Sequence, residues 1–244
     1  MHPEARRGED APLSILVVVA AVTGALLASL WWAVAHHGSD DPTVGVAAGS
    51  AAAASSWTID APWEAQVVRV RTTRCRDEIE GTGVIVDGVV LTNRHVVDGA
   101  RSVVVVGHDG SEHTVTSTAV SDRVDLAVLS AGDIGPGLDL GTGAALDGQA
   151  VMAGFPHGGA FADRRVRADG SLDGFGFPHP PHAIRLDVTV VPGESGSPIV
   201  GDRGDVAALL YARANADGRG LAISAADLLV ARGQVHRAAA VACG

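Results

Sequence analysis

The chain has 244 residues, room for one ordinary domain or a compact two-lobed one plus extensions. Apolar residues make up 47% and charged residues 19%, which excludes a disordered or fibrous chain. The formal net charge is −10 and all 18 basic residues are Arg, so binding of nucleic acid through a broad basic face is not expected.

Residues 13–35 form an uncharged, predominantly apolar run, LSILVVVAAVTGALLASLWWAVA. At ~1.5 Å per residue it spans roughly 34 Å as a helix, enough for a ~30 Å hydrocarbon core. Arg6 and Arg7 precede it, and no basic residue follows until Arg69. Cationic flanks stay on the cytoplasmic side. The expectation is therefore a short cytoplasmic N-terminus (1–12), a transmembrane helix (13–35) and an extracytoplasmic remainder. Ala33-Val34-Ala35 also resembles a signal-peptidase site. A cleaved signal peptide is the alternative, but the run is longer than the usual ~7–15-residue signal core. Residues 36–60 are rich in Gly, Ser and Ala without periodicity and read as a flexible linker.

From residue 61 the pattern changes to short Val-rich runs punctuated by Gly, Asp and Pro. Runs at 66–72, 82–87, 89–92, 102–107, 114–120, 126–130, 151–155, 183–190, 198–200 and 206–211 predict strands. Residues 169–182 read as an ordered loop. One helix is predicted near 224–234, where Ser224 caps an Ala/Leu/Val run. Many short strands with one terminal helix indicate an all-β domain over 61–244. It divides around the Gly-rich stretch 132–148 into barrels near 61–131 and 145–223.

Three motifs occur in one order. Thr92-Asn93-Arg94-His95 ends a strand and presents a His, Asp125 opens the strand Leu126–Leu129, and Gly193-Glu194-Ser195-Gly196 places a Ser in a tight turn. A Ser hydroxyl needs a base within hydrogen-bond reach to become a nucleophile. His is suited to take that proton and return it to a leaving amine. An Asp fixes the imidazole tautomer and stabilises the imidazolium. Glycines beside the Ser let backbone N–H groups converge on a developing oxyanion.

GTGVIVDGVVLTNRHVV, DLAVL and PGESGSP together resemble the three signature blocks of trypsin-like, chymotrypsin-fold serine proteases. The bacterial exported branch, which includes the high-temperature-requirement proteases, is the most similar. Within it the likeness is to the membrane-anchored acid-resistance periplasmic proteases of mycobacteria. The resemblance covers about 61–244 and implies two six-stranded antiparallel β-barrels, a catalytic triad of His95, Asp125 and Ser195, and an oxyanion hole from the amides of Gly193 and Ser195. It implies peptide-bond hydrolysis through an acyl-enzyme, with no cofactor, no metal, and protein or peptide substrates. A substrate pocket is implied from Thr189, Val190, Pro192, Leu210, Tyr211 and Ala212. Thr189, rather than an Asp, stands six positions before Ser195, which points to a small or apolar side chain instead of Arg or Lys.

The sequence departs from that pattern at Glu194, where Asp or Asn is usual, at Ser197, where Gly is usual, and at Arg94, where a small residue is common. Glu194 and Ser197 motivate an alternative reading as a catalytically weak relative that binds peptides or unfolded proteins, which the intact His95, Asp125 and Ser195 oppose. Cys75 and Cys243 are too few for a disulfide scaffold or a four-cysteine zinc site, but outside the cytoplasm a Cys75–Cys243 bond is stable. His157, His179 and His182 are expected in surface segments near the site. The sequence leaves the oligomeric state open.

Overall fold

A computed structural model describes residues 63–142, 146, 149–173, 177–239 and 241–243. The apolar run 13–35 and the linker 36–60 lie outside them. Among the described residues, no helix is long and apolar enough to cross a membrane.

The first half folds as β1 (Val67–Thr73), β2 (Glu78–Val86), β3 (Val89–Thr92), helix α1 (Arg94–Val97), β4 (Ser102–Val106), β5 (Glu112–Thr114), β6 (Ser117–Val120) and β7 (Ala127–Ser130). The second half contributes β8 (Ala150–Gly154), β9 (Ala162–Val166), β10 (Ala168–Asp173), β11 (His182–Thr189), β12 (Pro198–Val200), β13 (Val206–Arg213), β14 (Arg219–Ser224), helix α2 (Ala225–Arg232) and β15 (His236–Arg237). The strands form two sheets, ordered β15-β6-β7-β3-β2-β1-β4-β5 and β10-β11-β14-β13-β12-β8-β9.

The sheets therefore hold eight and seven strands, where the resemblance implies six in each. One reason lies at 114–120, expected to be a single strand. The chain turns a corner there: Val115 N–H donates to Val103 O and Thr116 N–H to Ser130 O, so pairing passes from β4 to β7. Another lies at the C-terminus, where β15 pairs with β6 and adds a strand to the first sheet. A third lies within 169–182, expected to be a loop, which instead begins with β10, paired to β11.

The two-residue period of a strand sorts its side chains between two cores. Ile85 on β2 joins Val68, Val70, Val90, Val105 and Leu129 inside the first sheet. Its neighbours Val84 and Val86 face the other way and meet Leu209, Tyr211, Leu221, Ile223 and Leu228. On β13, Ala208 and Leu210 pack with Met152, Leu186 and Ile199 inside the second sheet. Residues 81–86 are buried on both faces. Such strands read as continuous apolar runs because each face covers a different core.

The connector between the halves runs along the seam. Leu138 bridges in parallel to Val86, and Leu140 to Val206. Ser224 caps α2 by accepting from Asp227 N–H at 3.1 Å. Arg232 then pairs with Asp87 at 2.6 Å, tying the helix to the first sheet. Cys75 and Cys243 form a disulfide with Cα atoms 5.6 Å apart, fixing the C-terminal segment to the β1–β2 turn.

Candidate active site

His95 leaves the end of β3 on α1, and Asp125 lies in the turn between β6 and β7. These elements meet because β3 pairs with β7, bringing Thr92 opposite Ala127. The Asp125 carboxylate takes two bonds from His95, one from the backbone N–H at 3.0 Å and one at Nδ1 at 2.5 Å. Only 7% of the Asp125 side chain is exposed, against 48% for His95. Nδ1 of the imidazole is thus anchored while its other nitrogen, Nε2, remains available. Asn93 Nδ2 donates to Asp125 O at 2.9 Å, and Asp125 N–H donates to Pro178 O at 2.9 Å. Arg94 also serves this turn: its guanidinium donates to Ser121 O at 2.9 Å and to Asp122 at 2.8 Å. The bond to Asp122 raises the Arg94 pKa, so it stays charged.

Ser195 comes from the second sheet, between β11 and β12. It shares with His95 a cleft of about 630 Å³, whose walls include Gly193, Pro192, His157, Glu78 and Glu80. No hydrogen bond joins the Ser195 hydroxyl to the imidazole. In substrate-free sites such bonds are commonly long and tighten only with substrate bound.

The loop before Ser195 has a defined set of anchors. Pro192 O accepts from His157 N–H at 2.6 Å, and Glu194 O accepts from Ser197 N–H at 2.9 Å. In a trans peptide the carbonyl and the N–H of the same unit point in opposite directions. Fixing those two carbonyls therefore turns the Gly193 and Ser195 N–H groups the other way. Neither has a hydrogen-bond partner among the described residues, whereas Glu194, Gly196 and Ser197 N–H each have one. Thr82 completes the frame, its Oγ1 donating to Gly193 O at 2.8 Å and its N–H to Ser195 O at 2.8 Å.

Two glycines are required here. Gly193 has φ +89°, and a Cβ on it would lie 2.8 Å from both His157 N and Gly158 N. Gly196 has φ +86°, and a Cβ there would strike Thr82 O.

Glu194 is only 2% exposed. A buried carboxylate needs a partner. Arg164 on β9 supplies it as a fork, Nη1 to Oε1 at 2.7 Å and Nη2 to Oε2 at 2.9 Å. Oε2 also accepts from Val191 N–H at 2.8 Å. Ser197, another of the departures, is fully buried. A Cβ on Gly154 would collide with its Oγ, so Gly154 makes room for the hydroxyl that a Gly at 197 would lack.

The six residues expected to line a substrate pocket take different positions. Pro192 is exposed and borders the cleft. Thr189 is exposed, and its carbonyl accepts from Arg164 at 3.2 Å. Val190 and Leu210 pack in the second-sheet core, and Ala212 is half-buried. Tyr211 is buried, shares a 3.0 Å hydrogen bond with His179, and has its phenol pushed up to about 12 by burial and by the Asp125 charge. His182 is bound to Asp173 at 2.7 Å, and that bond raises its pKa.

Sequence reasoning missed Arg164, the supporting role of Thr82, and His157 as the anchor of Pro192. A Glu beside the nucleophile signals the need for a cation, but four arginines lie between 164 and 185 and only register selects among them.

The sequence matches the trypsin-like peptidase domain over residues 81–209, more than half of the chain. It is 35% identical over 159 residues to serine protease HhoA of Synechocystis sp., covering 59% of this chain and 40% of that one. It is 30% identical over 184 residues to a DegP-like periplasmic serine endoprotease of Chlamydia trachomatis, covering 66% of this chain and 36% of that one. The chain thus spans well under half the length of these relatives. Among solved structures, the active form of the Rv3671c protease from M. tuberculosis superposes with a TM-score of 0.66 at 26% identity, covering 76% of this chain and 87% of that chain. An inactive form of the same protease gives a TM-score of 0.61 at 27% identity, covering 70% and 89%.

Proposed function

The chain belongs to the trypsin-like peptidase family, and from that premise we propose that it is an extracytoplasmic serine endopeptidase acting through His95, Asp125 and Ser195. The observation that carries this reading is the pair of unbonded amides at Gly193 and Ser195, held by fixed carbonyls beside the His95–Asp125 pair.

In this mechanism the Ser195 hydroxyl gives its proton to His95 Nε2 as Oγ attacks the substrate carbonyl. The carbonyl π pair moves onto oxygen, and the Gly193 and Ser195 N–H groups stabilise that charge. Asp125 holds His95 Nδ1 and balances the imidazolium. His95 then protonates the departing amine and leaves an acyl-enzyme. Water attacks with His95 again as base, the ester bond breaks, and the proton returns to Ser195. No cofactor enters. The bidentate Arg164–Glu194 pair favours this reading over a peptide binder without catalysis, because the longer acid is accommodated with the loop's anchors in place.

Residues 13–35 serve in this proposal as a single-pass membrane anchor, with the N-terminus cytoplasmic and the protease domain outside. The uncharged, predominantly apolar run 13–35 after Arg6 and Arg7 supports that placement, as does the periplasmic designation of the Chlamydia relative. Substrates are proteins or peptides; Thr189 in place of an Asp favours a small or apolar residue on the acyl side. The test is cleavage of an unstructured protein by the purified chain. The reading requires fragments from wild type and none from Ser195→Ala; equal fragmentation by both would refute the assigned nucleophile.

A further inference from the structure

We infer that Arg164 is a positioning residue for this reaction, a built-in latch that keeps the loop carrying the oxyanion amides in its competent form. The inference rests on the hydrolase reading above and adds to it how the site stays assembled.

The geometry is specific. Segment 189–194 leads into Ser195 and contains the Gly193 amide. Arg164 grips both of its ends. Nη2 donates to Thr189 O at 3.2 Å, and both terminal nitrogens fork onto the Glu194 carboxylate at 2.7 and 2.9 Å. Glu194 Oε2 also takes the Val191 N–H at 2.8 Å. One guanidinium therefore gathers the segment's start, middle and end around a single buried acid. Its own position is set by β9, where Arg164 stands opposite Met152 of β8. A planar fork fixes the carboxylate plane in a way an ammonium does not.

The consequence runs through the backbone. Glu194 adjoins both oxyanion donors unequally: its C=O belongs to the unit that carries Ser195 N–H, and its N–H belongs to the unit that carries Gly193 O, one Cα away from the unit that carries Gly193 N–H. Glu194 is 2% exposed with Arg164 in place, and without Arg164 its carboxylate keeps one backbone donor, the Val191 N–H. A buried charge in that condition moves toward water. Outward rotation of Glu194 turns both adjoining peptide units: it withdraws the Ser195 amide from the cleft, and it pulls Gly193 O off Thr82, which loosens the glycine whose own amide is the second donor. The Arg164 side chain is 33% exposed, so the latch can be reached from solvent.

The test uses the full purified chain and compares wild type, Arg164→Ala, Arg164→Lys and Glu194→Gln. The readouts are kcat and KM on a peptide substrate, the rate of fluorophosphonate labelling, and the thermal midpoint. Arg164→Ala is expected to lower kcat and the labelling rate roughly 10²-fold with little change in KM, the scale of losing one oxyanion donor. Added ethylguanidinium restores kcat by filling the emptied fork site, and ethylammonium does not. Arg164→Lys and Glu194→Gln keep a polar pair in place and guard against a variant that fails to fold; each lowers kcat by less, at unchanged KM. Wild-type kcat in Arg164→Ala, or in both milder variants, would overturn the latch while leaving the protease reading intact. A loss unrelieved by ethylguanidinium and matched by an equal fall in thermal midpoint would reduce Arg164 to a structural residue. Inactive wild type would remove the protease reading, and the latch with it.

Discussion

Replacing Thr82 by Val is nearly isosteric but removes two buried hydrogen bonds. Thr82 is fully buried, donates from Oγ1 to Gly193 O at 2.8 Å and accepts from Phe155 N–H at 3.1 Å. A buried backbone group left without its partner costs ~1–3 kcal/mol. The two together give about 2–6 kcal/mol, with the lower end expected where the loop relaxes. That relaxation is the functional point. Gly193 O lies on the peptide unit joining it to Glu194, so turning it toward another donor also turns the segment leading to Ser195. A restraint weakened by about 2 kcal/mol corresponds to a roughly 30-fold lower kcat. KM is expected to change less, because the substrate-binding surfaces remain. The assay is steady-state peptide hydrolysis with urea unfolding in parallel, alongside Thr82→Ser as control. Ser keeps the hydroxyl and both bonds, and it should retain most activity. Wild-type kcat in Thr82→Val, or equal impairment of Ser and Val, would refute the claim that this hydroxyl frames the oxyanion loop.

Three further outcomes are expected. Gly193→Ala puts a methyl group at φ +89° and within 2.8 Å of His157 N and Gly158 N, so hydrolysis should fall at least as far as for a lost oxyanion donor, ~10²-fold; activity within a few-fold of wild type, measured by substrate turnover, contradicts the loop geometry. Reducing the Cys75–Cys243 bond, which closes a separation of 168 positions, should lower the thermal midpoint while leaving the triad intact, with ~5 kcal/mol as the chain-entropy ceiling; an unchanged midpoint in dithiothreitol contradicts it. Tyr211 is the only tyrosine, so phenolate absorbance reports it directly, and it should titrate near 12, with Asp125→Asn moving the midpoint down. The unfolded phenol titrates near ~10, so between those values the unfolded chain holds fewer protons and stability falls as pH rises.

How much the sequence reveals follows from what each residue does physically. His95, Asp125 and Ser195 are recognisable because chemistry restricts their types and the chain order preserves their spacing. The Val-rich strands are visible because each covers a core on at least one face. β9 and β10 escape notice for the opposite reason. They are the two edges of the second sheet, mostly exposed, with sequences ADRRV and ADGSLD that show no apolar alternation. β14 is buried on both faces and runs directly into α2, so its short apolar run cannot be separated by period from the helix that follows. Arg164 is hidden with its strand. Its role depends on a register that places position 164, and not 165 or 167, against Glu194. Thr82 belongs to a visible Gly-Thr-Gly block, but only the meeting of β2 with the Ser195 turn shows what its hydroxyl holds.

The most direct test of the central claim is active-site labelling of the purified chain with a fluorophosphonate, comparing wild type with Ser195→Ala and His95→Ala. Attack on phosphorus requires the nucleophile, its base and the oxyanion amides at once. Labelling of wild type alone, at a single site mapped to Ser195, is the predicted result. Labelling that persists in Ser195→Ala, or its absence from folded wild type, would contradict the assembled site described here.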